Sequence, residues 1–403
     1  MSSISPFQRI TISNSEILDY PATWRILKNL GTYNLLPPHF EEPEIVDTHT
    51  MAPTLAFQAL KESQPHNTAV ALGKRILHLT TQKGLSVKAC PGTNHMVCCQ
   101  YHVINMISNC PFDCSYCYLQ TYLNQPMTTI YVNEEDILSQ VVSLCKTNQN
   151  LAGAFTAEGR TAGTRVGSAS DNARCAGDKK QPFRIGTGEL SDSLALDPIT
   201  EFSKKLAFAM AEFENVRLEL KTKSKNVEHL LDLPRKDHVV IAWSINPAEI
   251  IEREEHKTAR FDERLRAAVL AAKAGFHVAF HFDPMIYCEN WKEIYSSALD
   301  EIIKQLPQEK IQWMTIGGLR YQPQLKPIAY KRYPQTTLFE KDSVLAEDGK
   351  VRYLRTIRTQ MFQFLYQKIK KDLPQTYTYL CMESKPVWEN VVGHLPERSF
   401  SVS

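Results

Sequence analysis

The chain has 403 residues, of which 43% are apolar and 22% charged, a composition typical of a folded protein with a large core. Its formal net charge of +2 neither identifies nor excludes a polyanionic partner, because such binding depends on a local patch. The N-terminus lacks a basic segment followed by an apolar one, and no run approaches 18 apolar residues, so we expect no signal peptide and no membrane association.

The first part of the chain, residues 1–99, is predicted to be an N-terminal extension of mixed helix and linker. The segment PPHFEEPEIVDTHTMAP is rich in proline and acidic residues and indicates a linker. The following TLAFQALKESQPHNTAVALGKRILHLTTQKG has apolar residues at helical spacing, interrupted near its proline.

From residue 100 onward, short β-rich apolar runs alternate with longer amphipathic ones. The predicted strands are 101–108, 182–187, 216–221, 239–245, 276–282 and 311–318. The helical runs between them include DILSQVVSLCK, EFSKKLAFAMAEF, ERLRAAVLAAKAG and SSALDEIIKQL. This alternation predicts βα units around a parallel sheet, and hence an α/β fold with a partial (β/α)6 TIM-like barrel over residues 100–318. Catalytic groups of such barrels gather at the C-terminal ends of the strands.

Two segments depart from this pattern. Residues 152–181 are rich in Gly, Ala, Ser and Thr, and they are too long for an ordinary connection. We interpret them as a flexible insert, either a lid or a surface loop without a role. Residues 319–403 form a C-terminal extension.

Three thiols crowd the stretch NCPFDCSYCYLQTYL directly after the first predicted strand. Cys110, Cys114 and Cys117 have the spacing C-x3-C-x2-C. Ten cysteines in a chain without an export signal indicate a reducing compartment, here the cytoplasm, where clustered thiols usually bind metal or act in catalysis. Structural zinc commonly takes two separated pairs of ligands, whereas a four-iron cube bound by three cysteines leaves one iron open for a small ligand. A zinc knuckle completed by a remote His or Cys remains the alternative.

The motif C-x3-C-x-aromatic-C, with Tyr116 as the aromatic residue, resembles the cluster motif of the radical SAM superfamily. The longer match CSYCYLQT resembles spore photoproduct lyase, as do SDSLALDPIT, TKSKNVEHLLD, WSINPAEII, FDERLRAAVLAAKAGF and KRYP in the same order. The resemblance covers roughly residues 100–380. It implies a radical SAM barrel, a [4Fe–4S] cluster and S-adenosylmethionine (SAM), whose reductive cleavage gives a 5′-deoxyadenosyl radical. It also implies a low-potential electron donor of the flavodoxin or ferredoxin type.

The resemblance assigns roles to individual residues. Cys110, Cys114 and Cys117 would bind the cluster, and Ser191, Lys223 and Ser244 match positions that hold SAM. The predicted strands support this grouping, because the three residues follow or close successive strands and so would face one rim. Tyr116 and Tyr118 flank Cys117 and would lie near SAM, where the family's tyrosines pass a hydrogen atom. Plain packing against the cluster is the alternative for both tyrosines.

One position departs from the lyase pattern. Where spore photoproduct lyase has a cysteine that returns a hydrogen atom to the product radical, this chain has Glu189, and a carboxylate cannot do that. Gly188-Glu189 instead resembles the Gly-Glu element that contacts the SAM amine in other radical SAM enzymes. Other thiols that could substitute are Cys98, Cys99, Cys175, Cys288 and Cys381, and an inert thiol is the alternative for each of them. Another set could hold a second metal and comprises Cys90, His95, Cys98 and Cys99.

Two late segments, residues 320–334 and 350–371, combine basic and aromatic residues. Lys and Arg pair with phosphates and aromatic rings stack on bases, so both segments are candidate nucleic-acid contacts. A surface helix with solvated charges is the alternative for the second segment. The leading hypothesis is therefore a radical SAM lyase acting on thymine-derived lesions in DNA. The alternatives are radical chemistry on RNA, a peptide or a small molecule, and a non-catalytic Fe–S protein that binds nucleic acid.

Overall fold

The computed structural model describes residues 4–47, 51, 69–92, 96–97, 99, 101–157, 183–214 and 216–396. His95, Cys98 and Cys175 lie outside these ranges. The predicted insert 152–181 begins inside the helix Glu134–Ala157, and its remainder also lies outside the described residues.

The strands fall in two main sheets and two small ones. In chain order they are β1 (Arg9–Ile12), β2 (Glu44–Ile45), β3 (Ile76–Thr80), β4 (Val87–Ala89), β5 (His102–Ile104), β6 (Ile107–Ser108), β7 (Asp113–Cys114), β8 (Thr128–Tyr131), β9 (Phe183–Thr187), β10 (Val216–Thr222), β11 (Val239–Ser244), β12 (Glu255–His256), β13 (His277–Met285), β14 (Ile311–Gly318), β15 (Arg320–Tyr321), β16 (Ser343–Leu345), β17 (Val351–Tyr353) and β18 (Tyr377–Leu380).

Helices follow most of the barrel strands. In chain order they are α1 (Pro21–Thr32), α2 (Ala69–Gly73), α3 (Leu119–Tyr122), α4 (Glu134–Ala157), α5 (Asp197–Thr200), α6 (Phe202–Met210), α7 (Ala248–Glu254), α8 (Phe261–Lys273), α9 (Trp291–Gln305), α10 (Leu325–Arg332), α11 (Arg355–Asp372) and α12 (Lys385–Val392). Short 3-10 turns cover Ser15–Asp19, Glu228–Leu230 and Gln308–Lys310. Within the described ranges, no helix has both the length and the apolar composition to cross a bilayer.

The larger sheet forms the partial barrel, with strand order β18-β14-β13-β11-β10-β9-β5-β4. All its neighbours pair in parallel except β4 and β5, which are antiparallel. Strand β11 is buried along its whole length, as expected for a parallel strand covered on both faces. The partial-barrel prediction is confirmed.

The sheet curls until its two ends approach each other. The guanidinium of Arg184 on β9 donates a hydrogen bond of 2.8 Å to the hydroxyl of Tyr379 on β18, and it stacks 4.3 Å from the ring of Trp313 on β14. Because these strands lie far apart in the sheet order, the contacts cross the barrel interior. The inner faces of the strands therefore meet around a polar centre.

Three features differ from the sequence expectation. The predicted strand 101–108 divides, because β5 joins the barrel whereas β6 pairs with β8 in the other main sheet. That sheet, of order β2-β1-β3-β8-β6, includes ILHLT at 76–80, which had been assigned helical spacing. The barrel also includes β18, which the sequence did not predict because a strand of four residues is too short to show a clear periodicity.

Candidate active site

The loop that carries the three cysteines begins at a left-handed residue. Asn109 has φ of +67°, a conformation that asparagine tolerates better than most residues, and its side chain bonds to both sides of the turn. The amide group of Asn109 donates to the carbonyl of Pro126 at 2.6 Å, and its oxygen accepts from the Cys110 backbone N–H at 2.9 Å. This turn directs the chain out of β6 and into the cysteine loop.

The loop is anchored to the rest of the protein through Asp113. The Asp113 carboxylate pairs with Arg332 at 2.5 Å and with Lys74 at 3.2 Å, and the hydroxyl of Tyr333 donates to the Asp113 carbonyl at 3.0 Å. Burial raises the pKa of the Asp113 carboxyl, but the surrounding cations lower that pKa by a larger amount. Asp113 therefore stays ionised. Arg332 also bonds to the side chain of Gln120 beyond the motif.

The three thiols lie near enough to one another to interact electrostatically. Cys114 is buried and Cys110 and Cys117 are partly buried, and a charge on Cys117 raises the pKa of both other thiols. Burial is the larger cause and raises the pKa of Cys114 to about 12. Among the described residues, no three side chains of His, Cys, Asp or Glu are arranged to hold one metal ion. Three cysteine donors in one loop fit a four-iron cube, in which each thiolate binds a different iron and the fourth iron is left open.

A buried carboxylate joins the cysteine loop to the rim of the barrel. β7 pairs with β12 so that Cys114 lies opposite Glu255. The Tyr116 hydroxyl donates to the Glu255 carboxylate, as does the amide group of Asn246 at 2.9 Å. Arg264 lies 2.6 Å from the same carboxylate, and both side chains of this pair are fully buried.

Lys223 completes this group at the end of β10. Its ammonium lies 3.9 Å from Glu255 and 4.9 Å from the centre of the Tyr116 ring. Burial disfavours the charged forms of both Glu255 and Lys223. The Arg264 and Lys223 cations nevertheless hold the pKa of Glu255 at about 2, and the Glu255 carboxylate raises the pKa of Lys223. Arg264 also donates to the carbonyl of Ser244 at 2.8 Å, so the ends of β10 and β11 share one network.

The turn after β9 forms the adjacent part of the rim. Gly188 has φ of +102°, and a side chain there would meet Ser193 and Lys221. Asp192 accepts hydrogen bonds from the Thr222 hydroxyl at 2.7 Å and from the Lys223 backbone N–H at 2.6 Å, which fixes this turn against β10. The turn that carries Glu189 and Ser191 is therefore fixed to the end of β10 that leads into Lys223.

The predicted residues of this turn reach different surroundings. The Glu189 carboxylate lies 3.8 Å from Lys88, and the Glu189 carbonyl accepts a hydrogen bond of 2.5 Å from Tyr118. The Ser191 hydroxyl is buried without a hydrogen-bond partner in the described structure and borders a cavity of about 20 Å³. Tyr118 is 40% exposed, and its ring lies 5.7 Å from the ring of Tyr122.

The structure thus brings the predicted residues to one rim, although through groups that the sequence did not indicate. Glu255 and Arg264 lie in segments whose charges are typical of helix surfaces, and Asp113 lies inside the motif without a distinctive pattern. Only the pairing of β7 with β12 and the packing of α8 reveal their roles.

Most arginines of the two basic C-terminal segments are not available for the nucleic-acid contacts that the sequence predicts. Their arginines are largely used inside the protein, each paired with a carboxylate: Arg320 with Asp283, Arg332 with Asp113, Arg352 with Asp348 and Arg358 with Glu383. Lys368 is also paired, with Asp300 and Asp372. Contacts to phosphate from these segments would have to come from other, more exposed side chains such as Lys331 and Lys371.

Other cysteines lie in varied places. Cys145 is buried within α4, and the thiol of Cys288 donates to Asn290. Cys381 follows β18 and accepts a 3.6 Å contact from Arg320. The proposed second metal set is only partly described, because His95 and Cys98 lie outside the described ranges.

Comparisons with known proteins agree with this geometry. The model of the family "Spore photoproduct lyase" matches residues 175–381, just over half of the chain and C-terminal to the cysteine motif. The spore photoproduct lyase of Bacillus subtilis is 28% identical over 270 residues, which is 66% of this chain and 68% of that protein. The Geobacillus enzyme is 28% identical over 242 residues, 59% of this chain and 62% of its own length.

Solved structures give the same fold. Spore photoproduct lyase complexed with dinucleoside spore photoproduct superimposes with a TM-score of 0.70 at 21% identity, over 94% of this chain and 98% of that one. A variant with bound AdoMet and the same dinucleoside gives 0.67 at 21% identity, over 94% and 100%. The chain belongs to the spore photoproduct lyase family of radical SAM enzymes, which use a [4Fe–4S] cluster and S-adenosylmethionine.

Proposed function

We propose that this enzyme cleaves a spore-photoproduct-type thymine lesion in DNA and restores the two thymines. The observation that carries the proposal is the convergence of the cysteine loop and the SAM-side residues on one buried carboxylate. Tyr116, Lys223 and, through Arg264, Ser244 are all tied to Glu255. This convergence supports a site at the C-terminal rim of the barrel in which the cluster ligands and the SAM contacts would lie side by side.

The residues present fit both cofactors. Cys110, Cys114 and Cys117 would bind three irons of the cluster and leave the fourth for SAM. The unpartnered Ser191 hydroxyl and the Lys223 ammonium, whose nearest carboxylate is 3.9 Å away, can bond polar groups of SAM. Gly188 keeps the turn free of a side chain beside them. When bound, the reduced cluster and SAM supply the 5′-deoxyadenosyl radical that abstracts hydrogen from the substrate.

The protein's own contribution is to position groups and exclude water. Glu255, held ionised, accepts the Tyr116 hydrogen bond and so fixes the Tyr116 ring, over which the Lys223 ammonium lies. Tyr118 bonds to the Glu189 carbonyl and so lies over the turn that carries Ser191. We propose that these two tyrosines line the path of the hydrogen atom. A flavodoxin- or ferredoxin-type protein would supply the electron, in the cytoplasm, where the thiols remain reduced.

One observation favours a second candidate, radical chemistry on another substrate such as RNA, a peptide or a small molecule. Glu189 stands where the lyase pattern has a hydrogen-donating cysteine, and its carboxylate lies 3.8 Å from the Lys88 ammonium. A carboxylate cannot replace a thiol as a hydrogen-atom donor. The SAM-dependent half of the chemistry would then persist with a different product.

The test separates these candidates. The protein is reconstituted anaerobically with iron and sulfide, then incubated with dithionite, SAM and dinucleotide spore photoproduct. The proposal expects thymidylyl-thymidine to appear and the lesion to be consumed, with C117A inactive and C145A, which changes a thiol buried within α4, active. Formation of 5′-deoxyadenosine with an unaltered lesion would favour another substrate. A loaded cluster without 5′-deoxyadenosine would favour a non-catalytic Fe–S protein.

A further inference from the structure

A lysine inside the barrel has no counter-ion of its own. Side chains alternate along a strand, so Glu219, Lys221 and Lys223 on and just after β10 share one face. That face is the inner one, because Glu219 bonds to Arg184 at 2.7 Å and to His281 at 2.7 Å, both from other barrel strands. Lys221 therefore lies inside the barrel, one layer below Lys223.

The carboxylates nearest to Lys221 already have other partners. Glu219 is shared by Arg184 and His281, and both its oxygens are used. Asp283 is held by the two nitrogens of Arg320 at 2.7 and 3.1 Å, in the bidentate geometry that suits a guanidinium. The backbone of Lys221 pairs within the sheet, but within the described part of the chain its side-chain ammonium makes no hydrogen bond and has no carboxylate within 4 Å. One positive charge is thus left without a counter-ion in the barrel.

The surroundings of Lys221 also contain polar atoms without partners. The His281 Nδ1 and Thr315 Oγ1 atoms are buried and make no hydrogen bond in the described structure, and the two residues are adjacent across β13 and β14. His281 is 2% exposed and Thr315 is 1% exposed. Buried polar groups are normally satisfied, so these atoms indicate that polar matter, either water or part of a ligand, occupies the barrel.

We propose that Lys221 binds the phosphodiester of the substrate, which makes it a residue that selects a nucleotide over a nucleoside lesion. This inference rests on the proposed function. A phosphodiester carries one negative charge and offers oxygen acceptors to an ammonium. Lys223, two residues nearer the rim, is the predicted partner of SAM, and Lys221 is left for an anion that enters with the substrate. The carboxylate of SAM is the other anion that could reach this lysine, and the experiment distinguishes the two.

The experiment measures equilibrium binding to the SAM-loaded protein without reductant, so that no turnover is needed. The probes are dinucleotide spore photoproduct, which has the bridging phosphate, and dinucleoside spore photoproduct, which lacks it. We expect the wild type to bind the dinucleotide about 10- to 100-fold more tightly. In K221M most of this preference should disappear, and the slope of log affinity against log salt should decrease by about 0.7. K221R should retain much of the preference.

Two controls make the result specific. K225M removes a lysine that pairs with Glu263 at the surface and should bind both probes as the wild type does. The SAM affinity of K221M should also equal that of the wild type. Unchanged dinucleotide preference in K221M would overturn the assignment, and so would a loss of SAM affinity with the preference intact. If the wild type bound neither lesion, the proposed substrate would fall and this assignment with it.

Discussion

The buried pair of Glu255 and Arg264 makes the most specific stability prediction. Both side chains are fully buried, and their charged groups are 2.6 Å apart. In Glu255→Gln the shape is kept but the negative charge is lost, so Arg264 remains buried without its counter-ion. Breaking such a pair from one side costs about 3–5 kcal/mol of unfolding free energy. The Tyr116 and Asn246 bonds to Glu255 would also be weakened, which places the expected loss at about 3 kcal/mol or more.

The assay is urea unfolding of the cluster-free protein at pH 7, followed by tryptophan fluorescence, with wild type and variant compared at equal m-values. Glu263→Gln is the matched control, because its pair with Lys225 is partly exposed and should contribute no more than about 1 kcal/mol. SAM affinity of the reconstituted Glu255→Gln should fall as well, since Lys223 loses its neighbouring carboxylate. A loss below about 1 kcal/mol with unchanged SAM affinity would refute the role given to Glu255.

Three further predictions concern stability and assembly. Arg264 and Lys223 hold the pKa of Glu255 at about 2, below its ordinary 4.5. The stabilisation of the folded protein by ionised Glu255 is therefore complete above pH 4.5 and is lost as the pH falls toward 2. In Glu255→Gln the unfolding free energy should depend less on pH in this range. Asp113→Asn should lower the amount of iron bound per chain after reconstitution, because the cysteine loop loses its ion pairs with Arg332 and Lys74. The control Asp262→Asn changes an exposed carboxylate and should leave the iron content unchanged. Equal iron content in Asp113→Asn and the wild type would contradict the anchoring role of Asp113. Gly317→Ala would place its Cβ 2.4 Å from an oxygen of Asp283, so it should lower the melting temperature and the unfolding free energy, the latter by about 1–3 kcal/mol. The control Gly31→Ala in α1 would place its Cβ 3.5 Å from Leu36 and should not destabilise the protein. An unchanged melting temperature for Gly317→Ala would show that Asp283 can move.

Much of the barrel was predictable because its strands are buried on both faces and read as short, continuous apolar runs. The runs at 216–221, 239–245, 276–282 and 311–318 all became barrel strands, and the polar residues just after them came to one rim. The cysteine motif was predictable because its spacing is local in the sequence. Each of these features depends on residues that lie close together along the chain.

The remaining features depend on contacts between distant segments. Glu255 acts on the cysteine loop only because β12 pairs with β7 across about 140 residues, and no local pattern records this pairing. Arg332 was interpreted as a nucleic-acid contact, since a basic residue beside tyrosines is typical of one, yet it is buried against Asp113. β1 and β3 likewise pair although they are distant in the chain, with Arg9 opposite Ile76.

The central claim is that three cysteines of this chain hold a cluster whose fourth iron binds SAM. Its most direct test is electron paramagnetic resonance of the anaerobically reconstituted, dithionite-reduced protein with and without SAM, together with measurement of 5′-deoxyadenosine. We expect a [4Fe–4S]⁺ signal that shifts when SAM is added, with 5′-deoxyadenosine formed, and neither result in C110A, C114A or C117A. A signal indifferent to SAM, or bound zinc in place of iron, would contradict the claim.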